Sequence, residues 1–546
     1  MARTDRADRV RYRFSPLERR GVIAGWRGGQ IAAVASSLVV GVLALRWRPT
    51  VVGAMVAVVC LGVGVALAFW PLSGRTAEQW LPLATRWLLS RLSGRGRQHA
   101  PGPREGHRVS LRPDGTASVG SGVASSPYRS RGGRTVFGGL GVETLTFGSG
   151  ETTFEVGVVI DRPSRTATAV LSVRGHSFAL LGPGDQDARI ASWARVLSAM
   201  AREGTDVHRI QWIESCLPDD GRSVRQHWSR HAVLGDHTPA GRSYRALVDE
   251  SSPVTRRHRV LLALTVHLSR SSRSIRASGR GLVGVGTVLN REVIALHRAL
   301  DGADISVDGV LGPVAVARAI SESYAPGGRT GGDAEDRPPP PPTDGSANGT
   351  SGMPVGQALP DATGVTADHL RPPVGPTWPW PLTVEAHWDA VHTDGTWHAT
   401  YWIAEWPRFD VTPDFLGPVL FSSLRRSVVL VMEPVSPIRA ARQVAQARTA
   451  DIADGEMRRR GGFLVTARQT REKEGVEERD AELADGHAQY RFTGYVTLTA
   501  DSRHELTTAC AALEQAAGQS RIELRLLYGE QDIAFACALP LGRGLS

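Results

Sequence analysis

Residue types that could carry out chemistry are sparse in this 546-residue sequence. A nucleotide-driven motor needs a lysine after a glycine-rich loop, because the loop N–H groups and the ammonium together hold the β- and γ-phosphates. The only lysine is Lys473, which lies between two glutamates in the segment Arg471–Gly475. A phosphate would not bind there, and we predict that the chain is not a P-loop ATPase.

A glycine pattern of the dinucleotide-binding kind, GxGxxG, spans Gly279–Gly284. In nucleotide-binding folds this pattern forms the tight turn between a strand and a helix. Here residues 269–278, rich in Ser and Arg, separate the glycines from a strand predicted at 260–268. We interpret the pattern as a loop that leads into a helix of small residues.

Two histidines, His227 and His231, have the spacing that lets imidazoles on one helix face hold a zinc ion, and His237 is near them. Trp228 follows the first histidine, where the general-base glutamate of an HExxH site would lie. A third ligand is not evident from the sequence. We interpret these residues as surface histidines.

The four cysteines, Cys60, Cys216, Cys510 and Cys537, are far apart and form no CxxC pair. This usage favours a reducing compartment and is not typical of a disulfide scaffold or a metal cluster. The sequence shows no recognisable catalytic, cofactor or metal motif. We therefore predict a protein that is not an enzyme, with no cofactor; the alternative is a membrane-tethered enzyme whose site no motif reveals.

The excess of positive charge is confined to the start of the chain. The net charge is +10 overall, and residues 1–110 contain 17 arginines against five acidic side chains. That segment therefore carries +12, which leaves about −2 for residues 111–546. A generally basic surface is not indicated, and we expect no direct binding of nucleic acid.

Two apolar stretches follow a basic N-terminal segment at residues 1–27. The first covers 28–45 and the second 51–70, and about twenty apolar residues are enough to cross a bilayer as a helix. The short connection between them carries two arginines and a proline, so we predict a two-span transmembrane hairpin. The alternative is a signal peptide, with the first stretch as its apolar region.

The placement of arginine predicts the orientation of this hairpin. Eight arginines precede the first span and only two lie in the connection, whereas five occur within residues 71–97. The positive-inside bias then puts both termini in the cytoplasm and the hairpin in the inner (plasma) membrane. Aromatic and basic side chains should mark the membrane interface, namely Trp26, Arg27, Arg46, Trp47, Arg48, Trp70, Trp80 and Trp87.

The segment after the second span is amphipathic. Within residues 71–93, Trp80, Leu83, Trp87 and Leu88 lie near helical spacing, with arginines between them. We predict an interfacial helix on the inner leaflet; an amphipathic helix packed on the soluble part is the alternative. Residues 94–133, rich in Gly, Ser, Pro and Arg, are predicted to form a flexible tether.

The rest of the chain divides into two soluble units, 134–325 and 376–546, separated by a Pro/Gly-rich linker at 326–375. Strand pairs followed by helices predict α+β cytoplasmic domains with antiparallel sheets, ferredoxin-like or related. Both units share a loose strand–helix–strand plan without a clean sequence repeat. Strands are predicted at 154–161, 167–173, 207–213, 260–268, 396–406, 427–433, 489–498 and 522–527. Helices are predicted at 187–202, 282–300, 313–324, 438–459, 472–484 and 502–518.

The most specific motif lies at the C-terminus. Its residues include Tyr528, Gly529, Gln531, Asp532, Phe535, Leu539, Pro540, Leu541 and Gly542. This segment resembles the one that closes the N-terminal domain of conjugation and type IV secretion ATPases of the TraC/CagE type, ahead of their P-loop motor. The hairpin followed by Trp80–Leu88 is similar to the small PrgI-like membrane subunit that partners such ATPases. The chain thus resembles the actinobacterial conjugative-element integral membrane protein family, which lacks the motor domain.

The resemblance implies a scaffold role in conjugative DNA transfer. The hairpin would anchor the chain in the bilayer, and the cytoplasmic part would dock a separate hexameric P-loop conjugation ATPase onto a polytopic membrane channel subunit. The segment Tyr528–Gly542 would then be a partner contact, and a homo-oligomer is left open. The alternative is an EccE-like membrane subunit of a type VII secretion complex, which also has two N-terminal spans and a cytoplasmic domain.

Overall fold

The structure, a computed structural model, describes residues 28–47, 50–69, 77–93, 96–99, 104–111, 117–125, 136–149, 152–175, 178–218, 222–232, 238–251, 256–325, 379–461 and 467–544. The helices in these ranges are α1 Gly28–Trp47, α2 Val51–Phe69, α3 Ala77–Leu92, α4 Pro183–Met200, α5 Arg222–His231, α6 Pro239–Ser251, α7 Ser272–Ala277, α8 Gly281–Asp301, α9 Pro313–Tyr324, α10 Gly417–Leu420, α11 Pro437–Gly461, α12 Ala467–Ala484, α13 Arg503–Gln519 and α14 Gln531–Ala538. The strands are β1 Arg97–His99, β2 Arg104–Leu111, β3 Ala117–Ser125, β4 Leu140–Ser149, β5 Thr152–Asp161, β6 Thr166–Arg174, β7 Val207–Pro218, β8 Arg256–His267, β9 Ser306–Val310, β10 Thr383–Ala386, β11 Val391–Thr393, β12 Thr396–Glu405, β13 Arg426–Pro434, β14 Tyr490–Ala500 and β15 Glu523–Leu526. The fold is mixed helix and largely antiparallel sheet, as the α+β prediction states.

The first two helices pack against each other as an antiparallel pair, and the amide of Gln30 in α1 donates a hydrogen bond to the carbonyl of Ala68 in α2 at 3.1 Å. Among the described residues, one helix is long and apolar enough to cross a membrane, Gln30–Trp47. The second apolar stretch, Val51–Ala66, is shorter. The predicted pair of spans is therefore supported for the first span only.

The strands form one continuous sheet rather than two separate ones. Its path runs β1-β10-β11-β12-β14-β13-β7-β8-β6-β5-β4-β2-β3, with β15 added beside β12 and β9 beside β6. The two predicted units meet where β7 pairs with β13 in antiparallel register, from Cys216↔Arg426 to Ile210↔Met432. The sequence predicted two soluble units without indicating whether they touch, because backbone pairing between edge strands far apart in sequence leaves no local signal.

The two halves of this sheet repeat the same topology. In the first half, the elements follow one another along the chain as β6-α4-β7-β8-α8-β9, and the strands lie side by side in the order β9-β6-β8-β7. In the second half, the chain order is β12-α10-β13-β14-α13-β15, and the strands lie side by side in the order β15-β12-β14-β13. A helical hairpin is inserted at the same place in each half, α5–α6 after β7 and α11–α12 after β13. The loose shared plan seen in the sequence is therefore a duplicated arrangement.

Helices cover both faces of the sheet. Successive residues of a strand point to opposite faces, and in β8 Leu261 belongs to one core cluster while Leu262 belongs to another. The helices α4 and α8 pack on one face in the first half and α13 does so in the second, whereas α9 and α14 pack on the other face. The core beneath α9 and α14 is shared by both halves, because it includes Ile213 of β7 and Val429 of β13.

The segment predicted as a flexible tether, 94–133, contains β1, β2 and β3. The first of these pairs with β10, and Arg97 lies 3.6 Å from the carboxylate of Glu385. The tether prediction is thus wrong for these stretches, because the Gly, Ser and Arg composition shows no strand periodicity and the partner strand lies almost three hundred residues later. The linker at 326–375 lies outside the described residues.

Candidate functional site: a junction between the third helix and the C-terminal segment

The helix α3 carries two tryptophans, Trp80 and Trp87, spaced so that they lie on one helix face. Both contact the second half of the molecule. The ring of Trp80 stacks on Trp388 at 5.8 Å and lies 5.7 Å from Tyr528, while Trp87 meets Trp388 edge-on at 5.1 Å. Such aromatic pairs add roughly 0.5–1.5 kcal/mol each beyond the area they bury. We call these four residues the aromatic junction.

A tight turn places two of the four rings. The N–H of Gly529 donates to the carbonyl of Trp388 at 2.7 Å, just after Tyr528. Gly529 has φ +72°, and a Cβ there would lie 2.8 Å from the Trp388 ring. Both the backbone conformation and the space therefore require glycine at this position.

Charged groups of α3 surround the aromatic junction. The guanidinium of Arg91 lies over the Trp87 ring, 5.2 Å from its centroid, in a cation–π contact. Burial raises the pKa of Asp532 in the first turn of α14, whereas backbone N–H donors and the charge of Arg86 on α3 oppose that shift. The junction thus couples α3 to the start of α14.

From the junction, α14 runs beneath the sheet. The Gln531 side chain is buried and accepts from the N–H of Thr400 at 2.8 Å, and it donates to the carbonyls of Thr400 and Leu527 at 3.1 Å each. Four residues later, Phe535 stacks on the buried His398 at 4.4 Å. Complete burial lowers the pKa of His398 to about 3, so this imidazole is neutral at ordinary pH.

The residues after α14 cross into the first half of the molecule. The buried amide of Gln211 in β7 donates to the carbonyls of Cys537 and Leu539, at 2.7 and 3.0 Å, and accepts from the N–H of Gly542 at 3.0 Å. Thr168 donates to the Leu541 carbonyl at 3.4 Å. The C-terminal segment therefore joins the aromatic junction to the opposite half of the sheet.

Two arginines secure the end of this segment. Arg209 donates to the carbonyl of Gly542 at 2.6 Å and is ion-paired with Glu433. The two guanidinium neighbours of Glu433, Arg209 and Arg491, keep the pKa of that carboxyl below its usual value against the opposing effect of burial. Arg543 donates to the buried carboxylate of Asp161 at 2.6 Å.

The nine residues of the predicted C-terminal motif do lie together, but mostly inside the molecule. Gln531, Phe535, Leu539 and Leu541 are each at most 1 % exposed. The prediction of a partner contact therefore does not hold for these buried side chains, because the apolar segment packs under its own sheet. Tyr528, Gly529 and Asp532 are partly exposed, whereas Pro540 and Gly542 are buried.

The predicted membrane-interface residues are only partly brought together. Trp80 and Trp87 form the aromatic junction, and this matches the alternative in which α3 packs on the soluble part. Trp47 is 89 % exposed and Arg46 is exposed at the end of α1. Trp26, Arg27, Arg48 and Trp70 lie outside the described residues.

The face of α3 next to the one that carries the two tryptophans is apolar and open. Leu81, Leu88 and Leu92 are 67, 52 and 76 % exposed, at positions i, i+7 and i+11 of the helix. Exposed leucines in a row of this kind are unusual on a water-facing helix. Since α3 follows the apolar hairpin directly, this leucine row is the part of the site with the chemistry of a lipid contact.

The glycine pattern at Gly279–Gly284 has a packing role. Helix α8 begins at Gly281, and a Cβ on Gly284 would lie 2.2 Å from the carbonyl oxygen of Ile275. The third glycine therefore lets α8 approach α7 closely. The interpretation as a loop leading into a small-residue helix is confirmed.

The candidate zinc histidines lie on α5, where the rings of His227 and His231 stack at 4.5 Å and are exposed. His237 lies outside the described residues. In the part of the chain that the structure describes, no group of three His, Cys, Asp or Glu side chains is placed to hold a metal ion. Lys473 belongs to the charged helix α12.

Sequence reasoning missed the residues that receive α3 and the C-terminal segment, namely Trp388, His398 and Gln211. Each belongs to an otherwise ordinary strand or turn, and its partners are far away in sequence. Only the unusual placement of a histidine and a glutamine within apolar strands hinted at buried polar contacts.

No protein-family model matches the sequence, and no curated protein matches it either.

Proposed function

We propose that this protein is a non-catalytic scaffold of the inner membrane, anchored by α1 and α2 as a two-span hairpin with both termini in the cytoplasm. The observation that carries the proposal is the aromatic junction, which fastens α3 to the start of the C-terminal segment. That segment in turn binds Gln211 in the opposite half of the sheet. A force on the hairpin would thus pass to both halves of the cytoplasmic part.

The exposed leucine row of α3 supports an interfacial position for this helix. With Leu81, Leu88 and Leu92 in the inner leaflet and Trp80 and Trp87 against the soluble part, both apolar faces of α3 would be covered. The sheet would then be held close to the membrane surface in one orientation. The helix α3 would then both lie at the membrane interface and pack on the soluble part, which the sequence pattern left as alternatives.

The resemblance of the C-terminal motif and the hairpin favours a type IV secretion-like conjugative DNA-transfer machine. We infer a ferredoxin-like fold for each half, and the repeated strand order supports this inference. The scaffold would hold a separate hexameric P-loop ATPase against a polytopic membrane channel subunit. A motor can move its substrate through a pore only while its body is held against that pore.

The test is affinity purification of the tagged full chain from detergent-solubilised membranes of its native host, with bound proteins identified by mass spectrometry. Recovery of a P-loop conjugation ATPase together with a polytopic channel subunit would support the proposal. Recovery of type VII secretion components would replace it with the EccE-like alternative.

A pair of variants connects this test to the aromatic junction. Trp80→Ala with Trp87→Ala should lower recovery of the ATPase, because α3 no longer orients the sheet. Leu81→Ala with Leu88→Ala, on the adjacent face of the same helix, leaves the aromatic rings in place and should recover more ATPase than the tryptophan pair. Equal recovery of the ATPase by both double variants would mean that ATPase binding does not depend on the aromatic junction.

A further inference from the structure

Another group of side chains lies beyond the end of the C-terminal segment, next to Arg209. It comprises Arg165 in the turn before β6, His208 in β7, and His267 and Arg270 at and after the end of β8; we call it the cationic cluster. The antiparallel register of β6, β7 and β8 brings these three chain segments to one end of the sheet. The function proposed above uses none of these side chains.

The cluster is held by specific contacts. Arg270 Nη1 lies 3.3 Å from His208 Nδ1, and the two imidazole rings are 5.2 Å apart. The guanidinium of Arg165 donates to the Ser269 hydroxyl at 3.3 Å. The backbone N–H groups of Ser269 and Arg270 lie 3.2 and 3.4 Å from His267 Nδ1.

These contacts assign the protons of both imidazoles. A guanidinium or a backbone N–H can only donate, so Nδ1 accepts in His208 and in His267. A neutral imidazole whose Nδ1 accepts carries its proton on Nε2. Each neutral histidine therefore keeps one donor, the N–H of Nε2.

Positive charge in this region is only partly neutralised. Glu433 is ion-paired with Arg209 and Arg491, and Asp161 with Arg543. Among the described residues, no carboxylate lies within ion-pair distance of Arg165 or Arg270. Burial, followed by the charges of Arg209 and Arg270, lowers the pKa of His208 to about 4, with Glu433 opposing. The pKa of His267 is also lowered, by burial and then by Arg270, with Arg165 and Arg209 adding to the shift.

We propose that the cationic cluster binds a phosphate group. The two guanidinium groups supply charge and paired donors that match the phosphate oxygens. The phosphate is either free or the headgroup of a lipid, since both present the same oxygens. A long polyanion is a poorer fit, because residues 111–546 together carry about −2.

The test is calorimetric titration of inorganic phosphate into the full chain in nanodiscs of neutral lipid, at pH 7 and constant ionic strength. We expect saturable binding that weakens about tenfold or more in the double variant Arg165→Gln/Arg270→Gln, since each lost charge-assisted hydrogen bond reduces affinity. The control Arg276→Gln removes one exposed arginine from the neighbouring helix α7 and should bind as the wild type does. Absence of saturable binding, or equal binding by the double variant, would overturn the proposal.

Three further measurements test the interpretation. Arg165 and Arg270 are exposed, so the double variant should keep the unfolding midpoint of the wild type in the absence of phosphate. In the wild type, bound phosphate should raise the pKa of His208, which histidine NMR can follow even if a variant is unstable; an unchanged pKa would count against the site.

Nanodiscs that contain phosphatidic acid distinguish a lipid headgroup from free phosphate as the ligand. If the cationic cluster binds the lipid headgroup, phosphatidic acid should compete and weaken the binding of inorganic phosphate. If the cluster binds free phosphate only, the affinity for inorganic phosphate should be the same as in neutral nanodiscs.

Discussion

At the scale of single residues, Gln211 shows how one side chain can join the two halves of the molecule. Its amide makes three hydrogen bonds to the C-terminal segment, all of them buried. We predict that Gln211→Ala lowers the free energy of unfolding by about 2–4 kcal/mol, because it strands buried backbone groups without partners. Denaturant unfolding of the solubilised chain measures this loss.

The matched control is Ser427, which occupies the corresponding position of β13 in the duplicated arrangement. Its hydroxyl is buried and makes no hydrogen bond within the described residues. Ser427→Ala removes an unsatisfied group, so it should leave stability unchanged or raise it slightly. A loss as large as that of Gln211→Ala would show that the position matters for packing rather than for hydrogen bonding.

His398 gives the fold a dependence on pH. It is fully buried, and its ring nitrogens face the hydroxyls of Thr393, Thr396 and Thr499, with His392 the titratable group whose charge acts on it. Its pKa is about 3 in the folded state and about 6.5 unfolded. Because the folded pKa is depressed, its contribution is complete above pH 6.5 and declines as the pH falls towards 3.

We therefore predict that His398→Gln flattens the loss of stability on acidification. Between pH 6 and 4 the wild type should lose up to about 1.4 kcal/mol per pH unit more than the variant, which corresponds to one proton. Unfolding curves over that range measure the difference. Equal slopes would mean that the other histidines with lowered pKa values, His208, His267 and His387, account for the whole effect.

At the scale of elements, the sequence predicted several of the long ones but missed the ten-residue strand β4 and the thirteen-residue helix α6. The helix predicted at 313–324 has those bounds in α9, and the strand predicted at 154–161 is β5 with two more residues at its start. The short elements β1, β10 and β11 were missed, because three or four residues carry no periodicity. The helix α14 was missed since its residues from Ile533 to Ala538 are all apolar and show no helical period, as expected for a mostly buried helix.

The turn between β15 and α14 is a short element that holds the aromatic junction. We predict that Gly529→Ala lowers stability by about 2–4 kcal/mol, because the new methyl group meets both an unfavourable φ and the Trp388 ring. Gly486→Ala is the control, with φ +89° and open space around it, so only the backbone term of about 1 kcal/mol should appear. Thermal unfolding compares the two, and equal losses would mean that the Trp388 contact is loose.

At the scale of the whole molecule, the sequence predicted two soluble units without indicating whether they touch, and the structure joins their strands in one sheet. Periodicity identifies the strands of each half, but it cannot show that β7 and β13 are neighbours. The seam between them contains a fully buried guanidinium, Arg426, ion-paired with Glu214. A buried ion pair of this kind adds little net stability, so the dependence of each half on the other comes from the β7–β13 pairing and the shared core.

We therefore predict that the two halves stay together when the chain between them is cut. A protease site inserted within residues 326–375 would give two fragments, and size-exclusion chromatography in detergent should show that they elute as one complex. The β7–β13 pairing and the bonds from Gln211 and Arg209 to the C-terminal segment hold them. The variant Val429→Asp places a charge in the core that β7 and β13 share, and its fragments should separate. Separation of the wild-type fragments would mean that the halves are independent domains and that the hairpin orients only one of them.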